Sequence, residues 1–167
     1  VSSEGLVRGI DRTLEYAEFT EEERPVSIQI FGGDPAKMAD AARIVEEMGA
    51  NIVDVNMGCP VPKIAKHHAG CSLMREPAHA AEIISAMSQA VKIPVTVKMR
   101  KGWDDTELNA GELARRVEDV ARRDDRPVGK EGWRRRRDSL QRLVRHRNEK
   151  PCHELERSRS RFRRASR

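Results

Sequence analysis

Apolar and polar residues alternate along Val26-Ser27-Ile28-Gln29-Ile30-Phe31, and the alternation stops at Gly32-Gly33. Period two in a β-rich run predicts a strand. Asp34 and Pro35 then supply an N-cap and a first-turn proline. Met38, Ala41, Ala42, Ile44, Val45 and Met48 recur at helical spacing up to Gly49, predicting a helix over 35–48. A second strand is expected over Asn51 to Val55, followed by a loop with one short helical turn over 62–74. Pro77 opens a second helix whose Ala80, Ala81, Ile84, Met87 and Val91 share a face. Pro94 to Met99 is a third strand, with proline at its first residue where a missing N–H is tolerated. Gly102 stops it, and Asp104-Asp105-Thr106-Glu107 leads into a third helix carried by Leu108, Leu113, Val117 and Val120. Upstream, a polar helical segment is expected around Val7 to Phe19, and Glu21 to Pro25 reads as a solvated acidic loop.

The order βαβαβα implies an α/β fold with a parallel sheet and right-handed crossovers, either an open doubly wound sheet or a (β/α) barrel. Periodicity alone does not choose between them. Each strand carries distinctive polar groups within it or at its carboxyl end: Gln29, then Asn56 and Cys59, then Lys98 and Arg100. A barrel gathers successive strand ends around one site, which favours a partial (β/α)8 TIM barrel of about three βα units. A complete barrel takes about 250 residues, and an incomplete one exposes sheet edges that invite aggregation.

Charge divides the chain. Residues 1–121 hold 14 Lys and Arg against 20 Asp and Glu, a net of −6, whereas residues 122–167 hold 18 against 7, a net of +11. The first segment is read as the partial barrel domain and the second as a basic, low-complexity tail expected to be disordered. The tail carries Arg134 to Arg137 and a terminal run from Arg157 to Arg164, with no strand where a fourth βα unit is due. Two readings stand: an arginine-rich arm that folds on RNA, or the product of a shifted reading frame. Residues 138–147 have room for a short basic helix. The chain begins at Val1, which reads as a piece of something longer.

Cys59, Cys71 and Cys152 form no C-x-x-C pair, so neither a disulfide framework nor a metal site is expected. No apolar run approaches the roughly 20 residues that span a bilayer, and a reducing cytoplasm is the expected location.

The densest chemistry lies in Asp54-Val55-Asn56-Met57-Gly58-Cys59-Pro60. Val55 is read as closing the strand, Gly58 permits a sharp turn, and Pro60 biases Cys59 toward an extended conformation. A thiol at a strand mouth can serve as nucleophile or proton donor, whereas most free cysteines are simply buried; Cys71 is read as packing. Lys98 lies between Val97 and Met99 in a strand fit for burial, and a buried ammonium calls for an anion or an electron-rich acceptor; the alternative is a strand-end lysine reaching water. Gln29 offers an amide that donates and accepts, or an outward-facing polar position. His67-His68 reads as exposed, and Gly32-Gly33-Asp34 lacks the fuller phosphate-loop pattern.

Five strings together resemble the bacterial tRNA-dihydrouridine synthase family: E-G-L-V-R-G at 4–9, R-P-V-S-I-Q-I-F-G-G-D-P at 24–35, D-V-N-M-G-C-P-V-P-K at 54–63 with A-G-C-S-L-M-R at 69–75, and V-T-V-K-M-R-K-G-W at 95–103. The resemblance covers residues 1–121. It implies a flavin-containing barrel that reduces uridine in tRNA to 5,6-dihydrouridine, with FMN as cofactor and NADPH as reductant. By similarity, Cys59 is the general acid that protonates C5 of the uracil, Gln29 hydrogen-bonds the flavin ring, and Lys98 stands by its N1/O2 edge. Asn56 and Arg100 are expected to place the base or the RNA. Such an enzyme takes its base out of an RNA stack. The intact enzyme is expected to be a monomer whose partner is tRNA, with no membrane and no metal.

The family's first strand, its later flavin-contacting histidine, its phosphate-binding loops and its helical tRNA-gripping domain have no counterpart in the 167 residues. The chain alone is therefore expected to bind FMN poorly and to be inactive. The rival readings are another FMN barrel of the dihydroorotate dehydrogenase kind, acting on a small molecule, and a non-catalytic RNA-binding fragment working through the arginine-rich tail.

Overall fold

The structure, a computed structural model, describes residues 1–65 and 67–122. The expectations for the basic tail, from its disorder to its short helix, lie outside the described residues beyond Arg122.

Two short helices open the chain, α1 (Ser3–Val7) and α2 (Asp11–Glu15). This corrects the single helical segment expected over Val7 to Phe19. Gly9 takes a left-handed φ of 62° between them, and the chain turns there instead of continuing. The acidic run forms a 3-10 turn, Glu21–Glu23, in which the Glu23 carboxylate accepts from the Thr20 backbone N–H at 2.7 Å. Strand β1 (Ser27–Ile30) follows, then α3 (Pro35–Glu47), β2 (Ile52–Met57), the single turn α4 (Pro62–Ala65) and a 3-10 segment, Gly70–Arg75. The chain continues through α5 (Pro77–Ala90), β3 (Val95–Met99) and α6 (Ala110–Arg122).

Local chemistry explains the boundaries. The Asp34 side chain accepts from the Lys37 backbone N–H at 3.1 Å to start α3, and Gly49 with φ 87° stops it. Strand β2 runs through Met57, past Val55, so Asn56 stands on the strand and not in the loop. Leu108 is 58% exposed and precedes α6, contrary to its expected place on the buried stripe. Asp104 Oδ1 accepts from the backbone N–H groups of Thr106 and Glu107, and this local turn delays the helix to Ala110.

The sheet is parallel with strand order β1-β2-β3. Helix α3 packs on α5, and α5 on α6. Successive right-handed crossovers that step in one direction place their helices on one face, so the described portion is singly wound. Ile28 and Ile30 of β1 align with Val53 and Val55 of β2, and Val55 aligns with Val97 of β3. These residues are buried with Met38, Val45, Ile83, Met87 and Leu113 in one core between sheet and helices. Ser2 also bridges Phe31 in parallel, extending pairing to the free side of β1.

Alternation sends the intervening residues to the opposite face: Gln29 from β1, Asp54 and Asn56 from β2, Thr96 and Lys98 from β3. Parallel sheets are ordinarily apolar on both faces. Here the second face is almost entirely polar.

Candidate active site

Register assembles that face. Gln29 lies opposite Asp54, Asp54 opposite Thr96, and Asn56 opposite Lys98. The Asp54 carboxylate accepts from Gln29 Nε2 at 2.5 Å and from Thr96 Oγ1 at 2.6 Å. Asn56 Nδ2 in turn donates to Gln29 Oε1 at 2.8 Å. Asn56 Oδ1 accepts from the backbone N–H groups of Gly58 at 3.0 Å and Cys59 at 2.9 Å. A continuous chain of hydrogen bonds thus runs from the middle of the sheet to the cysteine turn.

The turn is held from two further sides. Arg100 Nε donates to the Gly58 carbonyl at 2.6 Å, joining the end of β3 to the end of β2. The Cys59 carbonyl accepts from the Cys71 backbone N–H at 3.0 Å. Gly70 makes that contact possible, since a Cβ built there would lie 2.7 Å from the same carbonyl. Cys59 itself is partly exposed, whereas Cys71 is fully buried. The sequence strings at 54–63 and 69–75 therefore form one structural unit around the Cys59 backbone.

All five site residues proposed from sequence lie at or near the carboxyl ends of the three strands. Gln29, Asn56 and Lys98 share the polar face, while Cys59 and Arg100 belong to the turn above it. Lys98 is exposed in this chain, not enclosed as its apolar neighbours suggested. Its Nζ stands 3.8 Å from the position a Cβ on Gly58 would take, so it reaches toward the cysteine turn. Asn56 and Arg100 both engage the backbone of that turn. Sequence reasoning missed Asp54 and Thr96 as members of the site. The signal available was the polar position in each alternating run, Val53-Asp54-Val55 and Val95-Thr96-Val97.

A cleft of about 1110 Å³ opens between residues 2–4, the turn at Phe31–Asp34, and Lys63, Ile64 and His67 to Ala69. His79 Nε2 lies 2.7 Å from the Gly33 carbonyl, and His68 Nδ1 lies 2.9 Å from Glu76 Oε1. His67 and His68 are exposed. None of the five site residues lines this cleft. Among the described residues no cluster of three or more His, Cys, Asp or Glu is arranged to hold a metal ion. No helix among them is long and apolar enough to cross a membrane.

A parallel three-stranded βα sheet that gathers an amide, a cation and a thiol at its strand ends defines an α/β protein with a strand-end site, an arrangement that TIM barrels share. The profile of the family described as Dihydrouridine synthase (Dus) matches residues 1–121. The chain belongs to the dihydrouridine synthase family. It is 52% identical over 94 residues to a probable tRNA-dihydrouridine synthase of Rhodobacter capsulatus, covering 56% of this chain and 29% of that protein. It is 50% identical over 110 residues to probable tRNA-dihydrouridine synthase 1 of Synechocystis, covering 65% and 31%. Against tRNA-dihydrouridine synthase B of Pseudomonas aeruginosa it is 47% identical over 97 residues, covering 58% and 29%. The matched region spans about 30% of the length of these relatives. The family match decides against a small-molecule flavin dehydrogenase as the relative.

Proposed function

We propose that this chain carries the acid-bearing portion of an FMN-dependent tRNA-dihydrouridine synthase, an arc of a (β/α)8 barrel acting on tRNA in the cytoplasm. The observation that carries the reading is the hydrogen-bond chain joining Gln29 through Asn56 to the backbone of Cys59. It makes the ring-contacting amide and the proton donor parts of one rigid unit. The donor set fits a flavin ring: Gln29 keeps one N–H beyond its bond to Asp54, and Lys98 places a cation on the same face. When bound and reduced by NADPH, the flavin supplies hydride to C6 of the uracil.

Cys59 supplies the proton at C5, so the C5=C6 double bond becomes saturated and the thiol leaves as thiolate, to be reprotonated from water. Asn56 and Arg100 keep the thiol in place by fixing the N–H and C=O groups of its turn. Lys98 stabilises negative charge at the ring edge. Its exposure here means that this cation is not desolvated by the described residues, and a solvated cation holds an anionic edge weakly. The 167-residue chain alone therefore binds FMN weakly and turns over little tRNA.

The test is a chimera in which residues 1–121 replace the matching region of the Rhodobacter capsulatus relative, assayed for NADPH-dependent dihydrouridine in tRNA by nucleoside mass spectrometry. The chimera should form dihydrouridine, and Cys59→Ala should lower the rate about 100-fold or more. A folded, flavin-loaded chimera that is inactive, or that ignores Cys59→Ala, refutes the reading. For the isolated chain, a stoichiometric FMN complex that reduces tRNA would refute its expected inactivity.

A further inference from the structure

We propose that Asp54 is the positioning residue of this site, anchoring Gln29 through a charge-assisted bond so that its remaining N–H faces a ligand from a fixed place. The inference rests on the proposed function only for its consequence for flavin; the orientation itself is a property of this chain.

Hydrogen-bond polarity fixes the arrangement. An ionised carboxylate accepts and does not donate. Asp54, on the central strand and only 9% exposed, therefore has to meet Gln29 through Nε2. That turns Gln29 Oε1 toward Asn56, which has to answer with Nδ2. Asn56 Oδ1 is then left for the N–H groups of Gly58 and Cys59, which can only donate. Both ends of the chain demand the same direction, an acceptor-only carboxylate at one and donor-only backbone at the other. The amides between them consequently have one satisfied arrangement out of the two that each could adopt.

Thr96 completes the arrangement from below. Its hydroxyl, 4% exposed, donates to the second carboxylate oxygen at 2.6 Å and so holds the carboxylate plane. The bonds to Asp54 are charge-assisted, and polarisation passes along the chain toward Cys59. What a ligand meets is a Gln29 that presents its remaining N–H from a fixed place. It is selective for a ligand acceptor such as a heterocyclic carbonyl or ring nitrogen.

Asp54→Asn keeps the volume and replaces the charge-assisted bond to Gln29 with a neutral one, while the backbone donors of Gly58 and Cys59 still fix the direction of the chain. In the ¹⁵N-labelled full chain, the wild-type Gln29 and Asn56 side-chain amides should each give one slowly exchanging pair of proton resonances. In Asp54→Asn the Gln29 pair should shift, and its hydrogen exchange should speed up about 10- to 100-fold. The Asn56 pair, still held by the backbone of Gly58 and Cys59, should change less. Thr96→Val removes only the lower bond and should leave Gln29 exchange slow. A folded Asp54→Asn protein with the Gln29 amide unchanged in shift and exchange overturns the proposal.

If Asp54→Asn does not fold, acid titration of the wild type decides. The Gln29 amide resonance must move with the same midpoint as the Asp54 carboxyl carbon, and a Gln29 signal indifferent to that titration overturns the proposal equally. FMN titration of the same samples separates the two readings. Where the wild-type amides behave as described but FMN added to saturation leaves Gln29 and Lys98 unmoved, Asp54 keeps its role and the flavin reading fails.

Discussion

Gly70→Ala tests how the cysteine turn is built. Gly70 has φ 64°, a conformation that costs an alanine about 1–2 kcal/mol. Its new Cβ would stand 2.7 Å from the Cys59 carbonyl, closer than carbon and oxygen tolerate, so that carbonyl has to move. Movement breaks the 3.0 Å bond from the Cys71 backbone N–H, worth about 0.5–1.5 kcal/mol. The combined loss is about 1.5–3.5 kcal/mol. For a urea dependence of about 1–3 kcal/mol per molar, the unfolding midpoint followed by circular dichroism should fall by about 1 M. A second readout separates turn from fold: alkylation by iodoacetamide, mapped by peptide mass spectrometry, should quicken at Cys59 and stay slow at Cys71, which is fully buried. An unchanged midpoint together with unchanged Cys59 alkylation would refute the claim that Gly70 seats the turn.

Met87 is fully buried on α5, between α3 and α6, and Met87→Ala should cost about 2–5 kcal/mol in urea unfolding. Glu46 on α3 accepts from the backbone N–H groups of Lys92 at 2.7 Å and Ile93 at 3.0 Å, tying α3 to the turn before β3. Glu46→Ala should destabilise by about 1–3 kcal/mol and accelerate amide exchange at both residues, with Glu46→Gln milder because an acceptor remains. Glu4 has its pKa lowered, chiefly by the hydrogen bond from Lys37 and further by the nearby Arg8 charge. A carboxylate held below its unfolded value lends stability above the ordinary carboxylate range and loses it as pH falls through the depressed value. Lys37→Met should therefore flatten the acid side of the stability–pH curve, and an unaltered curve would show that the pair does not contribute.

Much of the scaffold was legible because each element declares its own period. The alternation in Ile28-Gln29-Ile30 and the stripe through Met38, Ala42 and Val45 required no knowledge of partners. The opening helices and Leu108 were misplaced for local reasons: Gly9 turns left-handed, and Asp104 captures two backbone donors ahead of α6. Lys98 was misjudged because Val97 and Met99 signalled burial, and in an alternating strand flanking residues report on the opposite face. Burial of the neighbours is evidence that Lys98 faces away from them.

The site residues that sequence did not single out, Asp54 and Thr96, are invisible one strand at a time. Each looks like an unremarked polar position, and becomes a member of the site only when register sets Gln29 against Asp54 and Asp54 against Thr96. That register is strongly enforced. Sliding β3 by one residue would turn Lys98 and Thr96 into the helix-packed core and bring Val97 to the polar face, costing both an uncompensated buried ammonium and a lost apolar contact. The same alternation that buries Val53, Val55 and Met57 therefore also delivers Asp54 and Asn56 to one line beneath Cys59. Core and site are specified together by one pattern: the apolar half fixes the register, and the register assembles the polar half.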